Sequence, residues 1–297
     1  MNAKPSILVV GSINMDLVAE MERAPLPGQT IFGDRYQFIP GGKGANQAVA
    51  AARLGAEVTF VCRVGRDAHG ARLIEGLRLE GIATDFVVED AGHPSGLAVI
   101  FVEKNGQNRI AVYAGANMAV TGEDARRAFG KGYDAVILQL EIPDAPILET
   151  FREAKRQGVR VILDAGPARP FDLAALDGID VLTPNETETT ALTGLPCSNL
   201  DEARAAARAL AEKSRARHVV IKLGASGSLL YADGNTEHFP AFPIQPMDTT
   251  AAGDAFTAAM TLAWLRSGDL REAIRYGNAA GALTATRLGA QPSLPTE

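Results

Sequence analysis

The chain has 297 residues, with 29 Lys and Arg against 35 Asp and Glu and a formal net charge of −6 at neutral pH. Its 46% hydrophobic content can bury a sizeable core, which excludes a disordered chain. No long basic run is present to neutralise a phosphate backbone, so nucleic acid is excluded as the expected partner. The strongly apolar stretch near the N-terminus, Ile7 to Val10, is shorter than a signal-peptide core of about 7–15 residues or a membrane span of about 20. A cytoplasmic protein that does not associate with a membrane is expected. The 2 cysteines and 4 histidines match no zinc-ligand spacing, and Cys62 and Cys197 read as reduced, structural residues.

In chain order, Ser6 to Val10 reads as a β-branched strand, and the Ala-rich Lys43 to Leu54 as a helix. The alternation continues with strand Glu57 to Cys62, helix Gly70 to Glu80, strand Ala135 to Leu140, helix Ala145 to Gln157 and strand Arg160 to Asp164. After these come strand Val181 to Thr183, helix Leu200 to Lys213, strand His218 to Leu223, a hairpin around Asp233-Gly234-Asn235 and two closing helices. Such βαβ alternation predicts a parallel sheet.

Two regions interrupt the pattern, Asp16 to Pro40 and Gly96 to Tyr113. Both read as short antiparallel strands with Gly and Pro punctuation, the second turning at Lys104-Asn105-Gly106-Gln107. Together they predict a small β lid, built from about 16–40 and 96–113, over the strand ends where α/β sheets bind ligands. Apolar residues alternate at Leu97, Val99 and Phe101 and again at Ile110 and Val112. These predict an apolar lid face that pairs with a second copy of the chain in a homodimer, with packing on its own domain alone as the alternative.

Five segments carry candidate chemistry. Asp248-Thr249-Thr250-Ala251-Ala252-Gly253-Asp254 precedes an apolar helix, where unpaired backbone amides can hold an anion. Asp254 in the first turn suits a base beside a phosphoryl group, whereas plain capping by Asp248 or Thr250 is the ordinary alternative. Gly41-Gly42-Lys43-Gly44-Ala45-Asn46-Gln47 allows close backbone approach but lacks the spacing of a Walker loop. Asn14 and Asp16 follow the first strand, where an amide and a carboxylate suit adjacent sugar hydroxyls. Asn185 and Glu188 fit a capping box as well as a ligand site, and Lys222 to Gly227 fits either a tight hairpin or a turn beneath a nucleotide.

These segments together resemble the PfkB carbohydrate-kinase family. GSINMD, PLPGQT, GGKGANQAVAAARLGA, AGAN, QLEIP, TPNETE, KLGASG, DTTAAGDAF and TRLGAQPS occur in the family's order from Gly11 to Ser293. The resemblance implies one catalytic domain over 1–297 with a Rossmann-like, three-layer α/β, ribokinase-like fold, a parallel central sheet and a small β lid. It implies an ATP-dependent kinase acting on the 5-hydroxyl of D-ribose, with 2-deoxyribose, a nucleoside or another pentose as the alternative acceptor. By the same resemblance Asp254 is the general base and Ala251, Ala252 and Gly253 form the anion hole. Asn14, Asp16, Gly41, Gly42, Lys43, Asn46 and Glu141 hold the sugar. Asn185, Lys222, Gly224, Ser226, Gly227 and Asn278 contact ATP, and Glu188 helps to place Mg²⁺ through water. The implied K⁺ site is Asp248, Thr250, Thr284, Arg287, Gly289 and Ser293, mostly through carbonyl oxygens. Two positions depart from the family's usual pattern: Asp164, where many members carry Asn, and Asn278, where some carry His.

Overall fold

The computed structural model describes residues 4–105 and 107–297. The first half of the chain forms β1 (Ser6–Val10), β2 (Asn14–Met21), β3 (Arg35–Gly41), α1 (Lys43–Arg53), β4 (Glu57–Gly65), α2 (Ala68–Leu79), β5 (Val87–Asp90), β6 (Gly96–Glu103), β7 (Asn108–Tyr113), α3 (Gly122–Ala128) and β8 (Ala135–Gln139). There follow α4 (Asp144–Gln157), β9 (Arg160–Asp164), β10 (Val181–Leu182), α5 (Glu186–Thr193), α6 (Leu200–Ser214), β11 (His218–Lys222), β12 (Ser228–Ala232), β13 (Asn235–Phe239), α7 (Ala252–Ser267) and α8 (Leu270–Ala285). Among the described residues no helix is long and apolar enough to cross a membrane.

The main sheet has nine strands in the order β13-β12-β11-β10-β9-β8-β1-β4-β5. It is parallel from β5 to β11 and antiparallel only at the β11-β12-β13 edge. β1 shows why the sheet is sandwiched: its alternate residues feed two separate cores. Ile7 and Val9 pack with α1, α2, α7 and α8, whereas Leu8 and Val10 pack with α3, α4 and α6. A strand covered on both faces has no polar side, which accounts for its continuous apolar run. The expected three-layer α/β fold is the one this chain adopts.

The two interrupting regions meet in a second, four-stranded sheet, β3-β2-β6-β7. Its central pair, β2 and β6, is parallel, so the lid is mixed rather than wholly antiparallel. Parallel pairing requires a long crossover, and the β3-to-β5 segment supplies it. The turn expected at Lys104-Asn105-Gly106-Gln107 includes Gly106, which lies outside the described residues.

The register also corrects the expected apolar face. Val99 pairs with Ala111 and Phe101 with Arg109, whereas Ile110 pairs with Ile100 and Val112 with Ala98. Directly paired residues share a face and neighbours along a strand alternate, so the two apolar strips lie on opposite sides. Leu97 and Phe38 pack down on the main core near Met15. Ile110 and Val112 are exposed on the side that carries Asp16.

Candidate active site

The loop after β13 delivers Asp254 to the first turn of α7. Ala251 occupies the N-cap with a left-handed backbone, φ 61°, and makes no side-chain cap bond. The ordinary capping alternative is therefore not realised. Asp248 instead turns back to accept bonds from the Thr250 amide at 2.9 Å and the Gly289 amide at 2.8 Å. The Ala252 amide is spent on the Thr249 carbonyl at 3.2 Å. Among the described residues the Gly253 amide has no hydrogen-bond partner, at the end of α7 where anions are favoured.

The Asp254 carboxylate accepts from Asn46 Nδ2 at 2.9 Å and Gln47 Nε2 at 3.1 Å, and Lys43 Nζ lies 3.8 Å away. Burial raises its pKa above the ordinary carboxylate range, Lys43 pulls it back, and Asp164 pushes it up again. The result is a stronger base than a surface aspartate, held beside a cation that favours its charged form.

α1 carries Lys43, Asn46 and Gln47 on its first turns, and its entry is set by Gly42 at φ 88°. A side chain at Gly41 would collide with the Asp16 carboxylate, so only glycine lets β3 run this close to Asp16. Asp16 is buried, and burial with Glu141 and Asp254 nearby raises its pKa to about 7. Glu141 accepts from the Lys43 amide at 3.0 Å and from the Ser12 hydroxyl, so it fixes the glycine loop.

Asn14 starts β2, and its Oδ1 accepts from Asn117 Nδ2 at 2.7 Å. Asn117 is itself locked, accepting from the Ile13 amide at 2.9 Å and donating to the Ile13 carbonyl at 3.1 Å. With its oxygen occupied, Asn14 has its amide donor left for a ligand, beside the acceptor Asp16. Asn117 was quoted only within AGAN; its locking of Asn14 spans 103 residues of sequence and has no local signal.

On the other side of Asp254 lies a cavity of about 540 Å³ whose lining includes Lys43, Asn185, Lys222, Gly224, Gly227, Gly253 and Asn278. Its apolar walls include Phe242, Ile244 and Ala282, a surface that suits a flat ring. Ser226 does not line it; its carbonyl instead faces His238 Nε2 at 2.6 Å. Asn185 and Glu188 complete the capping box of α5, with the Asn185 oxygen accepting from the Glu188 amide at 2.8 Å and a Glu188 oxygen 3.8 Å from Lys43 Nζ. Asn185 thus serves the helix while lining the cavity.

Beneath this floor Asp164 is fully buried and accepts from Gln47 Nε2 at 2.8 Å and Lys222 Nζ at 2.9 Å. Burial opposes its charge, but Lys222 and then Lys43 outweigh that cost and its pKa falls below the ordinary value. The residue noted only as a departure is the anchor of the site's buried network. Gln47, held through its Oε1 by Gln139 Nε2 at 2.7 Å, ends the glycine segment in the sequence but has no role legible there. Its position one residue after Asn46 on α1 was the available signal.

The chain belongs to the pfkB family of carbohydrate kinases. The family model matches residues 4–297. The chain is 39% identical over 298 residues to ribokinase from Haemophilus influenzae, covering 99% of this chain and 96% of that protein. It is also 39% identical over 294 residues to a bifunctional ribokinase/ribose-5-phosphate isomerase A from Fructilactobacillus sanfranciscensis, spanning 54% of that longer protein. The structure of Arabidopsis thaliana ribokinase complexed with ribose and ATP superposes with a TM-score of 0.89 at 37% identity, covering 99% of this chain and 96% of that one.

The cleft of this kinase sits at the carboxyl ends of β9 and β11, where Asp164 and Lys222 terminate their strands. That is the place open α/β sheets reserve for ligands. The residues expected around K⁺ are partly drawn together: Asp248 joins Thr250 and Gly289, and the Arg287 amide bonds the Thr284 carbonyl at 3.1 Å. Ser293 is buried and bonds the Ala290 carbonyl at 2.7 Å.

Proposed function

We infer that this enzyme transfers the γ-phosphoryl group of ATP to the 5-hydroxyl of D-ribose, giving ribose 5-phosphate and ADP. The observation that carries the reading is Asp254, a buried carboxylate with raised basicity at a helix start, between a polar hydroxyl-binding side and a ring-sized cavity.

Asn14 and Asp16 form a donor-acceptor pair for neighbouring sugar hydroxyls, and Asn46 and Gln47 fix the Asp254 carboxylate. Asp254 accepts the proton of the primary hydroxyl as its oxygen attacks phosphorus, and the Gly253 amide donates to the charge that builds on the equatorial oxygens. Lys43, 3.8 Å from both Asp254 and Glu188, keeps the base ionised. Asn185 and Asn278 flank the nucleotide cavity, with Lys222 beneath the phosphates.

Two ions fit the donor set. Glu141, Asp164, Glu188 and Asp254 gather around Lys43, a set of carboxylates that suits a hydrated Mg²⁺ held through Glu188. When bound, Mg²⁺ neutralises charge on the transferring phosphates. Asp248, Thr250, Thr284, Arg287, Gly289 and Ser293 would hold K⁺, chiefly by carbonyl oxygens, and so order the segment entering α7. The exposed Ile110 and Val112 support a homodimer through the lid, with the second copy covering the Asp16-bearing face. The cytoplasm is the compartment in which we place it.

An acceptor panel of D-ribose, 2-deoxy-D-ribose and nucleosides, read by ADP release, with product position read from ³¹P–¹H coupling, tests the assignment. D-ribose should give the highest kcat/KM and a phosphate on C5. Another acceptor turned over more than about tenfold better overturns the choice of sugar while leaving the kinase chemistry intact.

A further inference from the structure

A second cavity, of about 490 Å³, opens at the amino ends of β9 and β11, the opposite end of the sheet from the catalytic cleft. Its walls carry Lys155, Arg160, Arg217, His218 and Trp264, with Asp180 beside them. The carboxylate is already committed, since Asp180 Oδ2 accepts the Val161 amide at 2.9 Å and Oδ1 faces Arg217 at 3.3 Å. Lys155 Nζ donates to the Gly178 carbonyl at 2.9 Å, which leaves ammonium hydrogens free, since the group has three donors. Arg160 lies over the Trp264 ring with its guanidinium 4.8 Å from the centroid, and among the described residues its N–H groups have no hydrogen-bond or ion-pair partner.

A structural ion-pair cluster matches its charges. This one holds three cationic side chains against a single spent carboxylate around a polar void, and an aromatic face pre-sets the fork of the arginine. We propose that the cavity is a binding site for a small phosphorylated anion, gripped by Arg160 and Arg217 with Lys155 completing the charge. A tetrahedral phosphate accepts paired N–H bonds from a guanidinium fork, which favours it over other small anions.

The site is separate from the cleft yet built on the same elements. β9 runs from Arg160 to Asp164 and β11 from His218 to Lys222, while α7 carries both Asp254 and Trp264. Trp264 lies about 15 Å along its helix from Asp254, so an anion here does not compete with ATP or the sugar.

Equilibrium dialysis of ³²P-pyrophosphate, with the catalytic cleft filled by ADP and D-ribose, tests the proposal directly. About one equivalent should bind per chain, with affinity falling roughly tenfold or more in Arg217→Gln and further in Arg160→Gln/Arg217→Gln. Lys155→Gln gives an independent reading should loss of the Arg160 stack impair folding. The chain has 1 tryptophan, so quenching of its fluorescence should follow the same isotherm. Pyrophosphate that fails to bind below about 10 mM, or binds all variants equally, overturns the site. Displacement by citrate as readily as by inorganic phosphate overturns the assignment to phosphates.

Discussion

Asp164 and Asp254 share one donor: Gln47 Nε2 lies 2.8 Å from an oxygen of the first and 3.1 Å from an oxygen of the second. The shared amide holds the two carboxylates in one buried network, but their surroundings drive them apart. Asp164 is bonded directly to Lys222 and kept ionised, whereas burial raises Asp254. One carboxylate anchors the floor and the other is the proposed base, a division set by environment.

The acid limb of kcat should therefore lie above the ordinary aspartate range. Lys43 lowers the pKa of Asp254, so Lys43→Met should move that limb to higher pH, because the charged base loses its nearby cation. Profiles of kcat at saturating substrates check this, and an unmoved limb contradicts the role given to Lys43.

The Asp164–Lys222 pair should be costly to break from one side. Lys222→Met leaves a buried carboxylate without its direct cation, a loss of about 3–5 kcal/mol for a pair of this kind. Asp164→Asn/Lys222→Met should lose less than Lys222→Met alone, as measured by urea unfolding. Simple additivity of the two single losses contradicts the pairing.

Asp16 gives a stability prediction with a definite sign. Its pKa is 3.8 ordinarily and about 7 in the folded protein. Between these values the folded state binds more protons than the unfolded chain, so stability falls as pH rises through the window. Asp16→Asn removes that fall, and its stability relative to wild type should climb between pH 4 and pH 8, approximately the limits set by the two pKa values. Its KM for the sugar should rise at the same time. A difference that stays constant with pH contradicts the shift.

For assembly, Ile110→Asp should split the proposed dimer and raise the KM for ribose, because Ile110 lies on the Asp16-bearing face. Sedimentation of wild type and variant, paired with kinetics, checks both effects. A fully active wild-type monomer at micromolar concentration contradicts the arrangement.

The βα alternation and the lid regions were legible because apolar periodicity and Gly or Pro punctuation are local signals. Lid register was not, since the side on which Ile110 lies depends on its pairing with Ile100 rather than on its own strand. Site residues divide the same way. Asp254, Asn46 and Lys43 stand in compact segments that announce a ligand. Asn117, Gln139 and the anchoring role of Asp164 depend on contacts across 92 to 117 residues, which no spacing reveals. The Asn185–Glu188 capping box was visible from sequence and formed as a cap, although Asn185 also lines the cavity.

The central claim is that Asp254 takes the proton from the sugar's primary hydroxyl, and Asp254→Asn tests it most directly. The amide keeps the shape of the carboxylate but cannot accept the proton. Turnover read by ADP release should fall by about 10² to 10⁴-fold, the scale of a general base, with the fold and the affinity for D-ribose nearly unchanged. Retention of more than half the wild-type kcat contradicts the claim.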